Sequence, residues 1–365
     1  MSQRGSKPLS RTRGAALVFA AALLAGPAAS RAQNADLFAR KTLSILVGVE
    51  AGGTADTAVR KFAIHLRKHL PGGPTVVVQN MAGAGSNLVF NYYAEKGAPD
   101  GLTIVYSSYQ PLAQALGDKS LRGRFDDFEF LGGISDTRVT YGRTDTVPGG
   151  LKTPADIVKA KDAVAGSFSN TDFEGTLSHL SLDVLGVSHR MISGYRGGSD
   201  IFLAMQRGEV HLHNTSIGTF RTRSARFIQN GEGLGIYYLA AQGADGQFER
   251  NPEITEMPAF PDLHQQIHGK LPAGKQWDAL NWLTLQTGEL AYAAFALRGT
   301  KPEMLAALRE AFARTADDSE FIADAIATNR IRYRFVPVEK GDRIVRALSN
   351  VSPEILDTLR ASMQR

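Results

Sequence analysis

The 365-residue sequence has no cysteine. Disulfides, thiolate metal sites and cysteine nucleophiles are therefore excluded, and an oxidising compartment is permitted. No segment is apolar for long enough to span a bilayer. The run from Ala15 to Ala25 is too short, and its setting is that of a secretory signal peptide: Arg4, Lys7, Arg11 and Arg13 precede it and Pro27 follows. Ser30 and Ala32 stand three and one before Gln33, which places the expected cleavage after Ala32 and the leader at residues 1–32. An excess of positive charge is also lacking once the leader is set aside. Residues 1–32 hold five cations and no acid, so the formal charge falls from +5 to zero. A balanced chain without a basic face gives no reason to expect nucleic-acid or membrane-surface binding. Nucleotide motifs are absent too, because Gly52-Gly53 lacks the third glycine of a dinucleotide fingerprint and no Gly-Lys-Ser/Thr closes a phosphate loop. No Gly-x-Ser-x-Gly elbow marks a serine hydrolase. No cofactor is expected.

After Phe38, short β-branched runs alternate with helical patterns, the arrangement that builds parallel sheets flanked by helices. Strands are expected at Thr42 to Val49, Thr75 to Gln79, Leu102 to Ser107, Ala163 to Ser167, Val210 to His213, Gly235 to Ala240 and Ala291 to Leu297. A helix opening at Thr54 would bury Ala55, Val59, Phe62, Leu66 and Leu70, and Pro71-Gly72-Gly73 would stop it. A second, from Thr176 to Leu185, would bury Leu177, Leu180 and Val184. A third, from Ser199 to Arg207, would turn Ile201, Phe202 and Met205 inward. Two longer helices, Pro302 to Thr315 and Asp318 to Asn329, are expected near the end. About 330 mature residues exceed what one core usually holds, so two α/β domains are expected. With no long linker, the chain would cross between them: first near Thr137 to Tyr141, again between Gly243 and Asn281. Domain 1 would comprise residues 33–138 plus 251–365 and domain 2 residues 139–250.

The informative places are turns from strand to helix, where the first backbone N–H groups of a helix lack partners and the helix dipole favours an anion. Four such turns recur: Gly52-Gly53-Thr54, Gly83-Ala84-Gly85-Ser86, Gly175-Thr176-Leu177-Ser178 and Tyr195-Arg196-Gly197-Gly198-Ser199. Four in one chain point to a shared anion-binding cleft. His65 with His69, and His264 with His268, have one-turn spacing, but neither pair has a clear third ligand, so surface positions and no metal are expected. His211 and His213 would share one side of a strand, where His213 could line the cleft or pack within the sheet. Ser167, Ser169 and Ser178 read as hydroxyl donors.

At these turns the sequence resembles the Bug receptors, the periplasmic binding proteins of tripartite tricarboxylate transporters. Glu50-Ala51-Gly52-Gly53-Thr54-Ala55-Asp56 is similar to that family's Pro-Pro-Gly-Gly-x-x-Asp, and Asn80-Met81-Ala82-Gly83-Ala84-Gly85-Ser86 to its Asn-x-x-Gly-Ala-Gly-Gly. Pro99-Asp100-Gly101-Leu102-Thr103, Gly175-Thr176-Leu177-Ser178-His179, Gly194-Tyr195-Arg196-Gly197 and Gly208-Glu209-Val210 follow in order. The resemblance implies a type II periplasmic-binding-protein fold, a Venus flytrap of two α/β domains with a hinge of two crossing strands. It implies a ligand carboxylate held by loop amides, hydroxyls and waters, and closure by rigid-body rotation. The candidate ligand-binding residues in the first domain are Glu50, Gly52, Gly53, Thr54, Asp56, Gly85, Ser86, Ser107 and Ser108. In the second they are Ser167, Phe168, Thr176, Ser178, His179, Tyr195, Gly198 and Thr215.

Departures from the family bear on the ligand. Glu50 stands where an uncharged residue is usual, and an apparent insertion from Asn170 to Glu174 would bring Asp172 and Glu174 to the rim, where they either repel a polyanion or face solvent. Thr215 replaces an aspartate suited to an ammonium group. A monocarboxylate or a weakly charged acid, aromatic among the options, with Phe168 or Tyr109 beside its apolar part, is therefore expected. The function expected is a monomeric periplasmic solute-binding protein that does no chemistry, and captures a small organic carboxylate for membrane permease subunits or for a sensor kinase. The alternative is a periplasmic esterase or lyase using His179 or His213 as base.

Overall fold

A computed structural model describes residues 36–168 and 172–363. The expected leader, the expected hydroxyl donor Ser169, and Asn170 and Thr171 of the expected insertion lie outside the described residues. The chain opens with β1 (Thr42–Val47), α1 (Thr54–His69), β2 (Thr75–Asn80), α2 (Asn87–Lys96), β3 (Thr103–Ser108), α3 (Pro111–Ala115) and β4 (Phe128–Ser135). Next come β5 (Arg138–Arg143), β6 (Ala163–Gly166), α4 (Phe173–Val184), β7 (His189–Ile192), α5 (Gly198–Gln206), β8 (Leu212–Ser216), α6 (Ile217–Arg223), α7 (Ala225–Gln229) and β9 (Gly233–Tyr238). It closes with α8 (Phe260–His268), α9 (Lys275–Glu289), β10 (Tyr292–Leu297), α10 (Pro302–Ala316), α11 (Ser319–Asn329), β11 (Arg334–Val336), α12 (Val338–Ala347) and α13 (Pro353–Ser362).

All seven strands expected from the β-branched runs form. In α1 the apolar stripe Ala55, Val59, Phe62, Leu66 and Leu70 is buried as its spacing demands. Phe62 alone meets Tyr106, Phe312 and Phe321 at ring separations of 5.2, 4.9 and 5.3 Å. Removing such a ring from water contributes about 1.5–3 kcal/mol. Leu177, Leu180, Ile201 and Met205 are buried, while Val184 and Phe202 are half-buried at the edges of their helices.

Two sheets result. The first has the order β11-β4-β10-β3-β1-β2 and the second β7-β6-β8-β5-β9. Within the first, β1 runs parallel to β2 and β3. Within the second, β6 runs parallel to β7 and β8. Each sheet also takes in one strand that arrives from the other side of the molecule. Only Asp136 and Thr137 separate β4 of the first sheet from β5, which inserts antiparallel between β8 and β9. Returning from β9, the chain enters β10, antiparallel between β3 and β4.

Four clusters of buried side chains serve the two sheets, one on each face. Trp277, Leu280 and Leu283 of α9, and Leu359 of α13, share a cluster with Leu177 and Leu180 of α4. Both α9 and the C-terminal helix thus pack on the second sheet, and the chain regains the first sheet at about Leu290 and Ala291.

Candidate ligand-binding cleft

Parallel strands followed by helices collect their carboxyl ends, and the helix N-termini, along one edge of a sheet. In the first sheet that edge is built around Gly48. Its N–H donates to Ser107 Oγ at 2.9 Å, and Ser86 Oγ–H donates to its carbonyl at 3.1 Å. A Cβ on residue 48 would sit 2.7 Å from Ser86 Cβ and 2.8 Å from Val89 Cγ1, so only glycine permits this approach. Ser86 and Ser107, both buried, join the strand ends and keep the α2 turn against β1. Ala84, Gly85 and Ser86 are successively left-handed, at φ 48°, 61° and 77°. Two non-glycines in that region cost about 1–2 kcal/mol each, strain of the kind that gathers where a loop must hold a particular shape.

Asp56 braces the neighbouring β1–α1 loop. Its carboxylate accepts from Gly52 N–H at 2.8 Å, Arg60 Nε at 2.9 Å and Asn80 Nδ2 at 2.8 Å. Burial alone would raise its pKa, but these donors outweigh burial and hold it below the ordinary carboxylate value. Asp56 and the Gly52 amide are thus engaged within the loop. Gly53 takes the N-cap position of α1 with extended backbone and no side-chain cap, leaving the first amides of the helix to an outside acceptor. Gly85 is exposed and Ser108, at the end of β3, is half-buried.

In the second sheet, Asp172 caps α4. It accepts from Gly175 N–H at 2.7 Å and Phe168 N–H at 3.1 Å, while its carbonyl accepts from the Thr176 hydroxyl at 2.8 Å. Asp172 is therefore turned into its loop, so the acid expected at the rim does not confront a ligand. The Tyr195 amide bonds the Ser167 carbonyl at 3.4 Å, carrying the α5 turn over the end of β6. Gly198 follows, and its Cβ position would lie 3.6 Å from His213 Cε1. The His213 ring is buried, with Tyr141 Oη 3.3 Å from Nδ1. Burial, aided by Arg138 and Arg223, pushes its pKa down to about 3, so the ring is neutral. Thr215 is buried on β8 opposite Val139.

Arg196 on the exposed turn before α5 bonds Asp200, Nε to Oδ2 at 3.0 Å. At the crossing itself stands an ionic group that the sequence reading did not assemble. Arg138 Nη1 meets Glu174 Oε1 at 2.7 Å with side chains only 11% and 15% exposed, and the guanidinium lies 4.6 Å from the Phe173 ring centre. Asp136 and Tyr292 are buried beside it. Asp136 Oδ1 and Arg138 Nε have no hydrogen-bond partner among the described residues.

Burial raises Glu174 to about 7, opposed by Arg138 and aided by Asp172 and Asp136; burial likewise raises Asp136 to about 6. An acid whose pKa is raised by folding is stabilising while protonated, and that stability is lost as pH climbs from its unfolded value through its folded one. The window here runs from roughly pH 4 to pH 7. Between pH 5 and 8, Glu174→Gln is therefore expected to gain about 2 kcal/mol relative to the native chain. Thermal melts of both proteins across that range check it, and a constant difference would refute the assignment.

Other expected positions fall elsewhere. His179 turns from the cleft, its Nδ1 2.7 Å from His189 Nε2 at the opening end of β7. Ser178 is buried inside α4, and Tyr109 is buried with its ring 5.0 Å from Phe125. Phe168 is half-buried against the second-sheet core. The expected surface histidines are not all exposed: His65 and His264 are buried. His65 bonds Asp324 at 3.1 Å, His69 bonds Asp318 at 2.9 Å, and His264 and His268 bond the carbonyls of Lys270 and Leu185. No helix among the described residues is long and apolar enough to cross a membrane.

Two α/β lobes that exchange strands are the fold of the periplasmic solute-binding proteins. BugD, a periplasmic binding protein, aligns with 88% of this chain and 97% of its own at TM-score 0.60 and 18% identity. Rpa4515 of R. palustris, solved with adipate, covers 87% of this chain and 97% of its own at TM-score 0.64 and 18% identity. In sequence, the chain is 31% identical over 193 residues to the Agrobacterium vitis "UPF0065 protein in the TAR-I ttuE-ttuC' intergenic region". That match spans 50% of this chain and about half the length of the relative, 52%. No family model matches. The resemblance to the Bug receptors drawn from the loop motifs is thus borne out, in fold over most of the chain and in sequence over half of it.

Proposed function

We propose that the protein is a periplasmic solute-binding protein that captures a small organic carboxylate and releases it unchanged, to permease subunits of the tripartite tricarboxylate type or to a sensor kinase. The observation that supports this reading is the pair of uncapped helix N-termini, at Gly53 and Gly197, one on each of the two sheets that exchange strands. Such ends bind anions without a charged clamp. The adipate held by Rpa4515 supports a carboxylate of this size. No observation favours an enzyme: His213 is buried and neutral, and His179 faces His189.

The proposed ligand contacts are the amides that open α1 and α5, with Ser107, Ser108, Ser167, Tyr195 and Gly198 around them. We assign the first lobe to residues 36–138 together with the chain from about Leu290 to Leu348, and the second to residues 139 to about 289 together with α13. The packing of α8, α9 and α13 supports moving the second boundary from 250. Because Asp172 caps a helix and Glu174 pairs with Arg138, the argument against a doubly charged ligand loses force. A thermal-shift screen of mono-, di- and tricarboxylates is expected to show a rise for one class, with adipate the first candidate. Mass spectrometry of the recovered ligand should find it unaltered. No shift with any carboxylate would remove the reading, and a converted product would replace it with the enzymatic one.

A further inference from the structure

On the second lobe, α4 and the opening of β7 bring together three metal-ligating side chains that the binding cleft does not use. His179 and Asp183 stand one turn apart on α4, with Nε2 and Oδ2 3.7 Å from each other. His189 Nε2 lies 2.7 Å from His179 Nδ1. One ligand atom from each of the three residues falls within 4.8 Å of the others.

The tautomer of His189 is set by its surroundings. Its Nδ1 lies 2.8 Å from the Val187 carbonyl, which can only accept, so Nδ1 carries the proton and Nε2 presents a lone pair. A carbonyl behind the ring is how metal-bound histidines are commonly oriented. Asp183 Oδ2 is steadied in turn by Gln276 Nε2 at 3.2 Å. The cluster is not sealed, because Asp183, Lys275 and Gln276 line a cavity of about 500 Å³ through which water can reach it. Lys275 is the competing cation there.

We propose that His179, Asp183 and His189 form a site for one divalent transition-metal ion of the zinc class, with cavity water completing the coordination. Two imidazoles and one carboxylate suit a borderline ion over magnesium or calcium. Tetrahedral ligands at zinc–nitrogen distances stand about 3.3 Å apart, so the two rings must separate by roughly 0.6 Å on loading. For His179 Nδ1 to ligate, the proton it shares with His189 Nε2 must pass to His179 Nε2, which faces Asp183 Oδ2, or to water as the metal enters. The ion would tie α4 to β7 and stiffen the lobe at the end remote from the cleft.

The test uses the mature chain, freed of any histidine tag and stripped with chelator, titrated calorimetrically with zinc chloride. The expected result is one ion per chain and a raised melting temperature, with no response to magnesium. Affinity should weaken at least about tenfold in His189→Ala and in Asp183→Asn and stay unchanged in His264→Ala. Melts in chelator verify that the variants fold. Failure of the native chain to bind zinc, or equal binding by both ligand variants, overturns the site. Neither outcome touches the carboxylate reading, which the screen above tests separately.

Discussion

Gly53→Asp is expected to lower carboxylate affinity at least about 100-fold while leaving the melting temperature unchanged or slightly raised. The position tolerates a side chain on conformational grounds, since its φ is −69° and ψ 166°. An added Cβ would meet only the Glu50 carbonyl, at 3.3 Å. Aspartate is also a favoured N-cap, so its carboxylate would fold back onto the open amides of α1. Those amides are the ones proposed to hold the ligand. Each charged hydrogen bond contributes about 1.5–3 kcal/mol, so displacing two costs about 3–6 kcal/mol of binding. Gly53→Ala, which blocks no amide, should stay within about tenfold of native affinity. Calorimetry with whichever carboxylate the screen identifies decides it. A native-like dissociation constant in a folded Gly53→Asp variant would move the ligand elsewhere.

Arg138→Met carries the second large effect, this time on stability. The guanidinium bonds Glu174 and opposes the burial of Asp136. Removing one partner of a buried ion pair while leaving the other costs about 3–5 kcal/mol, and here two acids are left. The loss should be largest at pH 8, where both must be charged, and smaller at pH 5, where Glu174 at about 7 and Asp136 at about 6 can take up protons. Adding Glu174→Leu should restore part of the loss at pH 8 and little at pH 5. Urea unfolding at the two pH values provides the measurement. A penalty independent of pH would mean that Arg138 acts through packing on Phe173 alone.

Strands whose composition is β-branched, such as β1 and β3, were legible because burial on both faces demands that chemistry. β4 was not, since Gly132-Gly133 reads as a turn. Their actual purpose is close approach: a Cβ at Gly133 would sit 2.5 Å from Leu290 Cδ1 and 2.6 Å from the Tyr292 carbonyl. β7, four residues long at a sheet edge, offered too little pattern. In the cleft, glycines and hydroxyls adjacent in sequence announced themselves, whereas the Asp136–Arg138 crossing, Glu174 and Tyr292 come from three separate segments and meet only through the exchange of strands. Asp56 and Asp172 were visible as acids but not as braces, because a carboxylate that caps its own loop and one that faces a ligand look alike in one dimension. His179 illustrates the limit of motif spacing. Three residues beyond Thr176, it sits almost two turns into α4, beyond reach of the helix mouth.

The described residues run from one lobe to the other: Phe38 lies in the first core, and α13 docks beside α4 and α9. Any change in the angle between lobes must therefore alter the separation of the two ends. Fluorescent dyes placed near Leu37 and Ser362 would act as a built-in ruler, reporting the bite of the jaws in real time without disturbing either lip.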